Sequence, residues 1–250
     1  MLLGCVQRVF FSDVNAATAR VLAAEGCDVI VPRDQGCCGA LMMHSGLERE
    51  AAAAARKTID AFETANVDHI VVNAAGCGST MKEYGELLRD DRDYAERAKR
   101  FAARCVDVSE LLADLEPRAA RHPLPLTIAY HDACHLQHAQ RVTSAPRRVL
   151  QTIPGAEIRE VPESDICCGS AGIYNLLEPD AAAALRDRKV QNLLKTGADI
   201  VVSGNPGCMM QIASGLAAAK RTMPSRHLIE IVDASIRNAT AESLRDRTAS

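Results

Sequence analysis

The sequence predicts an α/β fold of two tandem, pseudo-symmetric halves, each with a mainly parallel sheet and a cysteine site at the C-terminal ends of its strands. Three observations predict it. Short apolar runs alternate with alanine-rich helical stretches along the whole chain, the pattern of parallel strands covered by helices. The pattern C…CCG…C occurs twice, as Cys5, Cys37, Cys38, Cys77 and as Cys134, Cys167, Cys168, Cys208, with matched cysteines 129 to 131 residues apart. That period is too long for a solenoid, whose repeats run to roughly 20–50 residues, and it fits a duplicated domain.

In the first half, Met1 to Gly4 reads as a short strand leading into Cys5, and Asn15 to Ala24 as a helix stopped at Gly26. Cys27 to Val31 is a β-rich run closed by Pro32, which delivers the chain to Cys37-Cys38-Gly39. Leu47 to Thr64 is an amphipathic helix, and His69 to Asn73 a buried strand without alternation. Gly76-Cys77-Gly78 opens a helix over Thr80 to Arg89, and Asp93 to Arg104 is helical. Val106 to Leu115 reads as a strand edge and a helix capped by Ser109. This gives a first domain at 1–116 and, with three prolines in Glu116 to Pro125, a linker at 117–125.

The series then restarts, giving a second domain at 126–240. Strands are expected at Leu126 to Tyr130, Glu157 to Val161 and Asp199 to Ser203, and helices at Ala145 to Thr152, Pro179 to Leu194 and Cys208 to Ala219. Ser225 to Asn238 reads as a last helix capped by its serine, and 241–250 as a frayed polar tail. The second half has about eight residues ahead of Cys134 where the first has four ahead of Cys5, so the first strand looks clipped and the chain reads as a fragment or as unusually tight at its start.

Composition narrows the function. A net charge of −3, 3% aromatic residues and no tryptophan give no basic stripe and no stacking platform, which excludes a nucleic-acid binder. No apolar run approaches the roughly 20 residues of a membrane span, and the start carries no signal-peptide pattern. The expectation is a cytoplasmic protein whose membrane association, if any, runs through partners. In that reducing compartment ten cysteines point to metal or redox chemistry rather than disulfides.

Four thiolates close a zinc site or hold a [4Fe-4S] cluster. The spacing is neither that of a zinc ribbon nor the close run of a bacterial ferredoxin, so the fold must assemble the ligands. Adjacent cysteines reach a cluster several ångströms across with less strain than a single ion. The eight repeated cysteines are therefore the expected metal and cofactor ligands, whereas Cys27 and Cys105, which have no repeat partner, read as core residues. The glycines beside the repeated cysteines let backbone N–H groups approach the sulfurs.

His131, His135 and His138 surround Cys134, but their counterparts are Leu2, Val6 and Val9, so a supporting role is expected rather than ligation. Asp132 and Asp165 read as helix caps. No GxGxxG follows a strand, and no acid/base pair or hydroxy-acid clamp is visible, so no catalytic residue is assigned.

The doubled motif resembles the cysteine-rich CCG domain family, which includes the cysteine-rich component of heterodisulfide reductase, lactate-utilisation iron–sulfur proteins and the glycolate oxidase iron–sulfur subunit. The resemblance to the last rests on Gly4-Cys5-Val6-Gln7, Asn15 to Leu22, Gly36-Cys37-Cys38-Gly39-Ala40-Leu41, His131-Asp132-Ala133-Cys134-His135-Leu136, Cys167 to Gly172 and Gly204-Asn205-Pro206-Gly207-Cys208. It implies an iron–sulfur electron-transfer subunit of a flavin-dependent glycolate (2-hydroxy acid) dehydrogenase, an oxidoreductase component not catalytic alone. It also implies one [4Fe-4S] cluster per half, with zinc as an alternative in one half. The implied partners are an FAD-containing subunit, a ferredoxin-type [4Fe-4S] segment or subunit, and a quinone or other acceptor. Heterodisulfide reductase closes each motif with CxxC, whereas Thr80 and Gln211 stand here, which counts against its thiol/disulfide chemistry and its non-cubane cluster. A lactate-utilisation protein and a zinc-stabilised scaffold remain as alternatives.

Overall fold

In a computed structural model, which describes residues 1–245, the chain forms six strands and fourteen α-helices. The first half runs α1 (Cys5–Phe10), α2 (Ser12–Ala24), α3 (Ala40–His44), α4 (Glu48–Glu63), β1 (Ile70–Val72), α5 (Ala75–Lys82), α6 (Tyr84–Leu87), α7 (Ala95–Arg104), β2 (Cys105–Asp107) and α8 (Val108–Asp114). The second runs β3 (Leu126–Tyr130), a π-helical turn at His135–Ala139, α9 (Ala145–Gln151), β4 (Ala156–Arg159), α10 (Tyr174–Leu177), α11 (Pro179–Lys195), β5 (Ile200–Ser203), α12 (Pro206–Ala218), β6 (Ser225–His227), α13 (Leu228–Ile236) and α14 (Ala241–Arg245).

The second-half sheet is parallel, in the order β4-β3-β5-β6, with Ile128 beside both Ile158 and Ile200. The first half has β1 and β2 paired parallel. Residues 1–3 run along β1 without forming a strand, the Leu2 N–H donating to the Val71 carbonyl at 2.9 Å. The Met1 amino group reaches the Ile30 carbonyl at 2.5 Å, so residues 1–3 and the 27–31 segment stand where β3 and β4 stand in the other half. The 27–31 run expected as a strand joins no ladder, because Ile30 and Val31 lie at an exposed edge and Pro32 follows.

Each half lends a helix to the other. α2 of the first half packs on α13 of the second, and α9 of the second on α8 of the first. Their apolar faces, with Val21, Leu112, Val149 and Val232, make a central core that joins the halves. Arg20 grips Asp233 with two bonds of 2.9 and 2.7 Å, and its repeat counterpart Arg148 reaches Asp114 at 3.5 Å. The 117–125 segment is tied down too: Glu25, buried, accepts from the Arg118 N–H and the Arg121 guanidinium, each at 2.6 Å.

Three expectations about helix ends are corrected. α8 is capped by Asp107, not Ser109: Asp107 Oδ1 accepts the Ser109 N–H at 2.8 Å and Glu110 Oε2 accepts the Asp107 N–H at 2.9 Å. Ser225 opens β6 rather than a helix, and His227 caps α13 through Nδ1, with Glu230 completing the same box. Asp132 is no cap either, since Arg147 holds it with two 2.8 Å bonds. The segment expected to fray from 241 begins as α14, with Ala241 and Leu244 buried; 246–250 lie outside the described residues.

Candidate metal centre

Each half gathers its four cysteines from three chain segments, at the C-terminal ends of β3, β4 and β5 in the second half and, in the first, after β1 and after the unladdered segments 1–3 and 27–31. Cys5 begins α1, Cys37 and Cys38 precede α3, and Cys77 lies in the first turn of α5. In the second half Cys134 follows β3, Cys167 and Cys168 follow the β4 loop, and Cys208 lies in the first turn of α12. All eight are free thiols. The structure thus brings together each sequence-predicted set and leaves Cys105 in the core of the first half.

The turn holding each pair is built by its glycine. Gly39 and Gly169 adopt φ of +83° and +88°, conformations an L side chain rarely takes, and a Cβ there would approach Ala51 and Ala182. The turn aims the N–H of Gly39 at Cys37 Sγ (3.4 Å) and that of Gly169 at Cys167 Sγ (3.3 Å). Two helices fix the carbonyls of the first pair: Tyr84 of α6 donates to the Cys38 carbonyl at 2.7 Å, and Thr58 of α4 to that of Cys37 at 3.4 Å.

Within each set the thiols hydrogen-bond to one another and shift each other's acidity. In the first, Cys5 Sγ lies 3.5 Å from Cys37 Sγ, and that hydrogen bond together with burial raises the Cys5 thiol far above its ordinary range. Cys37 is raised as well, first by its hydrogen bond with Cys38. In the second set the hydrogen bonds from Cys134 and Cys168 lower Cys167 and that from Cys168 lowers Cys208, while the same contacts raise Cys134 and Cys168. Asn205 Nδ2 also donates to Cys208 Sγ at 3.3 Å.

His131 completes this second set. It is buried, at 1% exposure, and a ligand nitrogen of its ring lies within 4.8 Å of the Cys168 and Cys208 sulfurs. Neither ring nitrogen has a nitrogen or oxygen partner, and the Cys208 thiol is the group placed to interact with the ring. A buried ring N–H that meets only thiol sulfur fits a pocket completed by an electron-rich group between those sulfurs. The donor chemistry of both sets, four thiols flanked by N–H donors, suits a sulfur-ligated metal or cluster.

The bridging role of Asn205 and the pairing of His135 with His44 are features that residue patterns alone did not show. Asn205 Oδ1 accepts the Gly76 N–H at 3.1 Å while its amide donates to Cys208, so one side chain ties the first set's helix to the second set. His44 and His135, from opposite halves, face each other with Nε2 atoms 3.1 Å apart. They flank a cavity of about 510 Å³ between the halves, lined by all four cysteines of the first set and by Phe10, Leu41, Leu176, Met210 and Gln211. The cysteines of the second set do not line it.

Among the described residues no helix is long and apolar enough to cross a membrane. The chain is 39% identical over 215 residues to the probable glycolate oxidase iron-sulfur subunit of Bacillus subtilis, covering 85% of this chain and 48% of that protein. It is 40% identical over 241 residues to the glycolate oxidase iron-sulfur subunit of Escherichia coli, covering 94% and 57%. The chain spans about half the length of these two relatives. Lactate utilization protein A of Halalkalibacterium halodurans is 29% identical over 234 residues, 93% of this chain and 95% of that protein. The CCG cysteine-rich domain pattern matches residues 1–82 and 128–213, the two stretches that carry the thiol sets. The chain therefore belongs to the cysteine-rich CCG domain family.

Proposed function

We propose that this chain is an electron-transfer component of a flavin-linked 2-hydroxy-acid dehydrogenase, with glycolate as the first substrate to test. The observation that carries the reading is the twofold convergence of four thiols from three loops. In it, Cys5, Cys37, Cys38 and Cys77 hold one [4Fe-4S] cluster, and Cys134, Cys167, Cys168 and Cys208 the other. Such a cluster, when bound, supplies one-electron storage and transfer.

The chain's own residues position that chemistry. The Gly39 and Gly169 N–H groups and the Asn205 amide donate to sulfur and offset the negative charge gathered there. Tyr84 and Thr58 fix the Cys37-Cys38 backbone from behind. The cavity gives an outside molecule access to the first set, and its apolar wall with His44, His135 and Gln211 suits a quinone ring better than a charged acceptor. Oxidation of the hydroxy acid belongs to a separate FAD subunit, and the ferredoxin-type clusters to a further segment or subunit.

The names of the glycolate oxidase relatives support this substrate, and the lactate utilization relatives support lactate as the second one to assay. A zinc-stabilised site has one observation in its favour: the 3.5 Å between the Cys5 and Cys37 sulfurs is near the edge, about 3.8 Å, of a tetrahedron with 2.3 Å zinc–sulfur bonds.

The deciding experiment is anaerobic purification with iron, acid-labile sulfide and zinc quantified, for the parent chain and for a Cys38→Ala, Cys168→Ala double variant. About eight iron and eight sulfide per chain, falling sharply in the variant, supports two [4Fe-4S] clusters. Zinc without sulfide sinks the electron-transfer reading. Reduction of the protein by the FAD subunit with glycolate or lactate then identifies the substrate.

A further inference from the structure

Leu2 and His131 occupy the same place in the two halves. The Leu2 N–H donates to the Val71 carbonyl at 2.9 Å and the His131 N–H to the Val202 carbonyl at 2.8 Å, and both side chains are 1% exposed. An aliphatic side chain in one copy is thus an imidazole in the other, beside the sulfurs of Cys168 and Cys208 and without a nitrogen or oxygen partner.

The helix behind each cysteine pair shows a second substitution of the same kind. Gly39 abuts Ala51 on α4 and Gly169 abuts Ala182 on α11, which aligns Thr58 with Lys189. Thr58 is a neutral hydroxyl bonded to the Cys37 carbonyl at 3.4 Å. Lys189 is buried and donates to the Glu163 and Ser164 carbonyls at 2.7 and 3.4 Å, in the loop that leads into Cys167 and Cys168. Each change adds a donor or a positive charge to the second set only.

We infer that His131 makes the two cysteine sites inequivalent: its ring N–H is held for the group bound by Cys134, Cys167, Cys168 and Cys208, which makes that site the stronger electron acceptor of the two. The inference rests on the cluster reading above. A reduced cluster carries more negative charge on its sulfurs, so an N–H aimed at them and a nearby ammonium stabilise the reduced state and raise the potential. The thiol set open to the cavity lacks both groups. An electron shared between the sites then rests at the second, away from the cavity.

The test is a redox titration of the anaerobically purified chain followed by electron paramagnetic resonance, with Cys38→Ala and Cys168→Ala single variants assigning each signal to its half. In His131→Leu, which restores the first half's residue, the second-site signal should move to lower potential by at least a tenfold change in equilibrium, 59 mV for one electron. The first-site signal should stay, and iron and sulfide should remain at the parent level. His131→Gln, which keeps an N–H, should recover part of the shift. A full cluster complement with no shift in His131→Leu overturns this inference alone. Loss of half the iron in both His131 variants makes the ring a ligand and overturns the donor role. A parent chain free of iron and sulfide defeats the cluster reading and the inference with it.

Discussion

Asp107 and His227 are the same cap in the two halves, one an acid and the other an imidazole, and they titrate with opposite sign. Each closes a capping box with a glutamate three residues on, and each is fully buried. Burial pushes the Asp107 carboxyl up to about 6 and the His227 imidazole down to about 4. Unfolded, they titrate near about 3.9 and 6.5. The folded state thus binds the Asp107 proton more tightly, so its contribution falls as pH rises from about 4 to 6. The unfolded state binds the His227 proton more tightly, so that contribution rises with pH over about 4 to 6.5. The slopes oppose each other, each at most about 1.4 kcal/mol per pH unit.

Asp107→Asn, which keeps a good capping side chain, should unmask the histidine: urea stability between pH 5 and 6.5 should rise with pH by up to about 1 kcal/mol per unit. His227→Asn should give the reverse slope, and the parent chain a shallower one than either. Parallel slopes in all three proteins would show that these caps do not titrate in the folded range.

The two CCG turns differ in how much room they leave. A Cβ on Gly169 would stand 2.3 Å from the Ala182 carbonyl oxygen, whereas one on Gly39 would stand 3.2 Å from that of Ala51. Gly39→Ala should cost about 1–2 kcal/mol for the left-handed backbone. Gly169→Ala adds a clash with backbone and should cost about 3 kcal/mol or more, with loss of metal from the second set. Thermal melting and metal content of the two variants check the order; equal effects would mean that the turns relax freely.

Cys105 and Cys27 lie outside both sets. Cys105 packs in the first-half core, its thiol directed at the Phe101 carbonyl 3.5 Å away and pushed up to about 12 by burial, the mark of an inert thiol. Cys105→Ala should cost about 1 kcal/mol and Cys27→Ala less, and neither should change the metal content. Metal analysis decides this, since a drop in either variant would add it to a ligand set.

The exchange of helices predicts unequal salt bridges. Asp233 is buried and gripped by Arg20 through two bonds and by Arg237 at 2.9 Å, so Asp233→Ala should cost about 2 kcal/mol. Arg148, the repeat counterpart of Arg20, meets Asp114 at 3.5 Å in an exposed setting, and Asp114→Ala should cost about 0.5 kcal/mol or less. The same interlocking implies that residues 1–116 and 117–250, expressed apart, stay unfolded alone and regain helix on mixing, which circular dichroism would read. A folded, monomeric half would show instead that the repeat units are separately stable.

The sequence by itself determined the two thiol sets and most of the elements around them. Matched spacing of Cys5, Cys37, Cys38 and Cys77 with Cys134, Cys167, Cys168 and Cys208 is a one-dimensional signal, and duplication leaves it in the chain. The helix over Glu48–Glu63 and the strand over Leu126–Tyr130 were equally legible, because periodicity and apolar runs are local properties. Only the tertiary structure decided the rest. Ser225-Arg226-His227 looks like a polar helix start, yet it is a buried strand because β5 lies beside it to take its hydrogen bonds. His131 falls outside the repeated motif, and its place beside Cys168 and Cys208 exists because chain segments more than 30 residues away converge there. The crossing of α2 onto α13 and α9 onto α8 has the same origin: apolar faces on distant helices find burial against each other, and no local pattern records which partner they choose.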